Sequence, residues 1–263
     1  MSKPKKSLGQ NFLKSEKIAE EIVSAGEVGS DDIVLEVGPG KGILTEKLLE
    51  KAKKVIAVEK DEQLVKFLKD KFKNNPKLEI IRGDILKFNL MSRRDLDIRC
   101  YKIIANIPYY ITSRFLRTFL ESDCQPSLMV LMVQKEVAER IVAKGKLARR
   151  RGGESLLSIS VKAYGRPETI RNVSAGYFSP APKVDSAVIK ISNISKNFFQ
   201  NINEKKFFEV VKKGFSQKRK MLINNLKAQK DDFTACNIDE KARAGNLSLE
   251  QWKCLTVNVK VSP

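Results

Sequence analysis

The sequence predicts an α/β protein, a doubly wound parallel sheet with a small helical C-terminal domain. Three observations carry that reading. Short apolar strands alternate with amphipathic helical stretches from residue 30 to about 133, the rhythm of a parallel sheet covered on both faces. A glycine turn and two acidic residues follow successive strands, on one rim of such a sheet. Beyond Ser192 the strand signal fades and helical spacing takes over.

The elements follow in order. Ser15–Ala25 reads as an entry helix, and Ile33–Val37 as a buried strand ending in a glycine turn. Leu44, Leu48 and Leu49 mark one helix face; Val55–Val58 is the next strand; Leu64, Phe67, Leu68 and Phe72 mark a second helix. Leu78–Ile81, Lys102–Ala105 and Leu128–Val133 supply three more strands, with helix Ser113–Leu120 between the last two. Leu156–Tyr164 fits both periods: Leu157, Ile159, Val161 and Ala163 alternate like a strand, while Leu157, Val161 and Tyr164 suit a helix. Glu168–Val173 and Val184–Ile191 read as an antiparallel addition to the sheet. Phe207, Val210, Val211 and Phe215, then Leu222 and Leu226, have helical spacing. The polar stretch Asn193–Asn203 sets a boundary between domains 1–193 and 194–263.

Among 263 residues, 50 lysines and arginines face 31 acids, a net charge of +19, with 42% hydrophobic residues. This is a folded chain with a basic surface rather than a disordered polycation. Both segments are basic, so a polyanion crossing both is expected, nucleic acid before membrane. The longest apolar run, Leu128–Val133, cannot span a bilayer, and no apolar region follows the basic N-terminus. Cys100, Cys124, Cys236 and Cys254 form no CxxC pair, which argues against a zinc site or a disulfide framework and fits a reducing compartment. Histidine is absent, so no imidazole base or Ser-His-Asp triad is available.

Glu36-Val-Gly38-Pro-Gly40-Lys-Gly42 follows a strand and opens a helix, giving a tight turn that a ligand can approach closely. Its spacing is GxGxG, so the dinucleotide pattern GxGxxG is not met and a nicotinamide oxidoreductase is disfavoured. Glu59 ends the second strand, where a carboxylate can accept from ribose hydroxyls. Asp84 in Arg82-Gly-Asp-Ile85 ends the third, placed to accept from an adenine amine. Each alone is an ordinary turn or surface acid; together they share one rim. Asn106-Ile107-Pro108-Tyr109-Tyr110 follows the fourth strand. The Asn106 side-chain oxygen and the Ile107 carbonyl can accept from an exocyclic amine, and Tyr109 offers a stacking face. Tyr177-Phe178-Ser-Pro180-Ala-Pro182-Lys183 is a stiffened loop in which Phe178 can supply a second ring, making a slot for an unstacked base. Lys144, Arg149, Arg150 and Arg151, with Lys212, Lys213, Lys218, Arg219 and Lys220, are candidate phosphate contacts.

Lys6-Ser-Leu-Gly-Gln10-Asn11-Phe12-Leu13, EVGPGKG, Glu59, Asp84, NIPYY, FSPAPKVDSAV and Lys218-Arg219-Lys220…Asn224-Asn225-Leu226 occur in this order from about residue 5 to about 226. The set resembles the small-subunit ribosomal RNA adenine dimethyltransferases. That resemblance implies a Rossmann-like class I methyltransferase sheet, S-adenosyl-L-methionine as cofactor, and dimethylation at N6 of two adjacent adenosines in the 3′-terminal hairpin of 16S rRNA. It also implies a role late in small-subunit biogenesis, on the pre-30S particle. Cofactor contacts are implied for Asn11, Leu13, Gly38, Gly40, Glu59, Asp84 and Asn106, and an adenine pocket for Asn106, Pro108, Tyr109 and Phe178. A cytoplasmic monomer without metal is expected. Lys144–Glu154 departs from the short loop usual in that family. Two rivals are a methyltransferase acting on large-subunit rRNA and a non-catalytic assembly or transcription factor of the same fold. The KRK…NNL and FSPAPKVDSAV stretches disfavour the first, and the intact Gly38/Glu59/Asp84/Asn106 set the second.

Overall fold

The computed structural model describes residues 4–5, 8–88, 100–142 and 153–259. The chain divides into two units, residues 1–138 with 166–194, and residues 139–165 with 195–263. The expected boundary at 193/194 falls at the end of the first unit, while residues 139–165 group with the second.

The first unit contains strands β1 (Phe12–Leu13), β2 (Ile33–Val37), β3 (Lys54–Glu59), β4 (Leu78–Arg82), β5 (Lys102–Asn106), β6 (Leu128–Gln134), β7 (Arg166–Val173), β8 (Phe178–Ser179) and β9 (Ser186–Ser192). Its helices are α1 (Glu16–Ala25), α2 (Ile43–Lys51), α3 (Glu62–Lys71) and α4 (Thr112–Leu120). Seven strands form one sheet in the order β4-β3-β2-β5-β6-β9-β7. The five from β4 to β6 are parallel, and β9 and β7 add antiparallel, as the sequence predicts. Leu128–Val133 is buried throughout because helices and neighbouring strands leave it no wet face. The order steps from β3 and β4 on one side of β2 to β5 and β6 on the other, so the strand ends beside β2 open a crevice. A second, two-stranded sheet joins β1 to β8, pairing Phe12 with Ser179 and Leu13 with Phe178. The sequence gives no period for strands this short.

In the second unit the ambiguous segment is helix, here α6 (Leu156–Tyr164). Ser155 and Ser158 decide it: each side chain bonds the other's backbone N–H, a capping box that closes the first turn. Helices α7 (Glu204–Gly214), α8 (Leu222–Leu226), α9 (Lys230–Ala235) and α10 (Leu249–Asn258) follow; α5 (Lys135–Val142), before α6, is divided between the units after Ala138. Tyr164, Phe199, Phe207 and Phe208 pack ring against ring, and Phe215 stacks on Trp252. Gly214 is required there, since a Cβ would lie 2.4 Å from the indole. The cysteine expectation is corrected here: Cys236 and Cys254 are bonded, their Cα atoms 5.6 Å apart. Packing of α9 on α10 brings together two residues 18 apart that no short motif links. Cys100 and Cys124 are outside any disulfide.

Candidate active site

A cleft of about 370 Å³ opens at the carboxyl ends of β2 to β5, lined by Gly38, Glu59, Asp84, Asn106, Pro108 and Tyr109, and by residues 8–13. The strand-end groups that the sequence singles out therefore meet in one place.

Local sequence explains each position. Gly38, Gly40 and Gly42 all have positive φ, which turns the chain sharply from β2 into α2. At Gly40 a Cβ would sit 2.9 Å from the Phe12 ring, so the turn and β1 approach only because that atom is missing. The Glu59 carboxylate accepts from the Gly40 N–H (3.3 Å) and the Asp61 N–H (2.9 Å), one on each oxygen. Burial pushes its pKa up, and those backbone hydrogen bonds offset part of the rise. Asp84 caps a short turn through Leu86 N–H at 3.0 Å and pairs with Lys60 Nζ at 3.1 Å. Desolvation raises its pKa, but these two partners, with the Lys87 charge, outweigh it and the net shift is downward.

The Asn106 amide donates Nδ2–H to the Asn11 carbonyl at 3.2 Å. Only the NH2 end can make that bond, so Oδ1 is turned away from Asn11. Tyr109 shares a 2.6 Å hydrogen bond with Ser186 Oγ, which fixes the phenol on the cleft wall. Its pKa is raised by burial and lowered in part by Ser186. Asn11 and Leu13 also line the cleft.

Sequence reasoning missed Glu36. It lies in β2, fully buried, on the cleft wall. Burial pushes its pKa up to about 8, and the Glu59 charge adds to the rise. Thr45 does not reach hydrogen-bond geometry, so both carboxylate oxygens lack a partner among the described residues. The signal was an acid inside an otherwise apolar strand, which water-exposed strands carry but central parallel strands do not.

Phe178 is 2% exposed and belongs to the apolar core cluster that also holds Leu13, Val173 and Val188. Lys144, Arg149, Arg150 and Arg151 lie outside the described residues. Lys212, Lys218, Arg219 and Lys220 are exposed in the second unit, and Lys213 is half-buried. Among the described residues no cluster of histidine, cysteine or acids could hold a metal ion, and no helix is long and apolar enough to cross a membrane.

A doubly wound sheet with this glycine turn, these strand-end acids and an Asn-Ile-Pro-Tyr rim defines a Rossmann-like methyltransferase. Comparison with known proteins narrows it. The family model described as ribosomal RNA adenine dimethylase matches residues 1–259. The ribosomal RNA small subunit methyltransferase A of Dehalococcoides mccartyi strain 195 is 42% identical, over 98% of this chain and 89% of the relative. The protein of that name in Clostridium botulinum strain Loch Maree is 39% identical, over 94% and 90%. Among solved structures, a dimethyladenosine transferase from Plasmodium falciparum superposes with a TM-score of 0.76 at 28% identity, covering 93% of this chain and 95% of that one. The 23S rRNA methyltransferase ErmE shares the fold, with a TM-score of 0.74 at 24% identity over 95% and 99%. The chain belongs to the ribosomal RNA adenine dimethylase family.

Proposed function

We propose that this protein dimethylates N6 of two adjacent adenosines in the 3′-terminal hairpin of 16S rRNA, using S-adenosyl-L-methionine, on pre-30S particles in the cytoplasm. The observation that carries it is the Asn106 amide, held by Asn11 with its acceptor oxygen turned from that residue, in the same cleft as Glu59.

The residues fit such a cofactor. Each Glu59 oxygen takes one backbone N–H and keeps lone pairs for a ribose diol. The missing Cβ at Gly40 leaves room beside Phe12. Glu36 offers a buried carboxyl group without a partner among the described residues, one that a neighbouring ammonium group would hold ionised. When bound, the cofactor supplies a sulfonium methyl group. Asn106 Oδ1 and the Ile107 carbonyl accept from the adenine amine, drawing it toward pyramidal geometry and stabilising the positive charge that develops there. Tyr109 stacks on the base and Pro108 fixes the turn that holds both. The proton leaves to water, which requires no histidine. Asp84 serves the cofactor's adenine while staying paired with Lys60.

The second unit and the Lys144–Arg151 run hold RNA through phosphates, with Lys212, Lys213, Lys218, Arg219 and Lys220 as contacts. The small-subunit assignment rests on the printed names of relatives at 38–42% identity; likeness to ErmE, below 25%, concerns the fold alone. Unmodified small subunits incubated with protein and cofactor, followed by nucleoside analysis and primer extension, decide between the readings. Dimethyladenosine at two adjacent positions near the 3′ end is expected. Modification of 23S rRNA alone, or none, overturns the proposal.

A further inference from the structure

One buried acid has no part in the chemistry above. Asp61 begins α3 with its side chain 1% exposed. One oxygen caps the helix through Gln63 N–H at 3.0 Å and accepts from Lys5 Nζ at 2.8 Å. The other accepts from Gln10 Nε2 at 2.9 Å. Gln10 Oε1 in turn accepts from the Lys5 N–H at 2.7 Å, closing a ring that spans more than 50 residues of sequence. These hydrogen bonds, together with the Lys5 charge, outweigh desolvation and lower the Asp61 pKa.

Beyond the ring the chain runs along the cleft from Leu8 to Leu13, and Asn11 presents its carbonyl to Asn106. The Asp61 backbone N–H holds Glu59. One residue therefore stands at the junction of the ribose acceptor and the strap that sets the amide. The geometry points to Asp61 as a positioning residue: it anchors the N-terminal strap so that Asn11 holds Asn106 with its acceptor toward the substrate amine. Misplacement of a reacting group by about 1 Å can cost on the order of 100-fold in rate, so a tether remote from the amine matters to turnover. The role rests on the proposed methyl transfer; the strap itself does not.

Asp61→Asn separates the functions. Asparagine caps a helix as well as aspartate, and the backbone bond to Glu59 stays. Its NH2, however, opposes that of Gln10, and the charge facing Lys5 is gone. In cofactor-free protein, hydrogen exchange of a peptide covering residues 4–14 should quicken in Asp61→Asn and in Gln10→Ala, with melting temperature near wild type. At saturating cofactor, kcat should fall about tenfold or more, and Gln10→Ala should add little to Asp61→Asn because both cut one tether. Unchanged exchange overturns the anchor. A rate recovered by excess cofactor, or fully additive losses, overturns the route through Asn106. Wild-type protein inactive on small subunits would instead overturn the functional reading, and the exchange data would still decide the strap.

Discussion

At the scale of single residues, the site is controlled by where backbone donors and missing atoms fall. Asn106→Ala removes the acceptor that stabilises charge on the reacting nitrogen; methylation at saturating cofactor should fall by about 100-fold or more, beyond any loss of cofactor affinity, measured by single-turnover assay beside calorimetry. Gly40→Ala puts a methyl 2.9 Å from Phe12 at a φ of +58°. An L-residue there costs about 1–2 kcal/mol, so cofactor affinity should weaken about tenfold or more while the fold persists. Glu36 carries a pH signature. Its folded pKa of about 8 lies above its ordinary value of 4.5, so between those limits the folded state holds a proton that the unfolded chain has lost. Stability from this site is complete below pH 4.5 and declines as pH rises toward 8. Glu36→Gln should flatten that decline in denaturant titrations of cofactor-free protein; an unchanged slope would show that Glu36 titrates normally.

Elements tell how much could be read beforehand. The disulfide between α9 and α10 closes a loop of 18 residues, worth about 3 kcal/mol by chain entropy. Reductant should lower the stability of the second unit by about that amount, and thiol titration of the untreated protein should count Cys100 and Cys124 alone. Nothing local announces this bond, because it depends on two helices meeting. The same distinction runs through the fold. The parallel strands are legible because burial on both faces leaves an unbroken apolar run, as in Leu128–Val133. Leu156–Tyr164 is apolar enough for either period, and a serine capping box, weaker in sequence than Ser-x-x-Glu, settles it. Glu59, Asp84 and Asn106 were legible as strand ends. Asp61 was not, since Lys5 and Gln10 reach it across 56 and 51 residues. Phe178 was open to two readings, because an aromatic in a proline loop suits a clamp and a core equally.

On the scale of the whole molecule, the net charge of +19 belongs to binding rather than folding. Affinity for small-subunit RNA should fall steeply with salt. Replacing Lys218, Arg219 and Lys220 by alanine should reduce the slope of log K against log[salt] by up to about three. An unaltered slope would remove that stretch from the phosphate contacts. The division of the chain bears on any attempt to graft one relative's target choice onto another. Residues 139–165 group with 195–263 and are separated from them in sequence by β7 to β9. Truncation at 194 would leave α6 in the remnant, stripped of the rings that cover Tyr164. A working chimera must exchange both segments together.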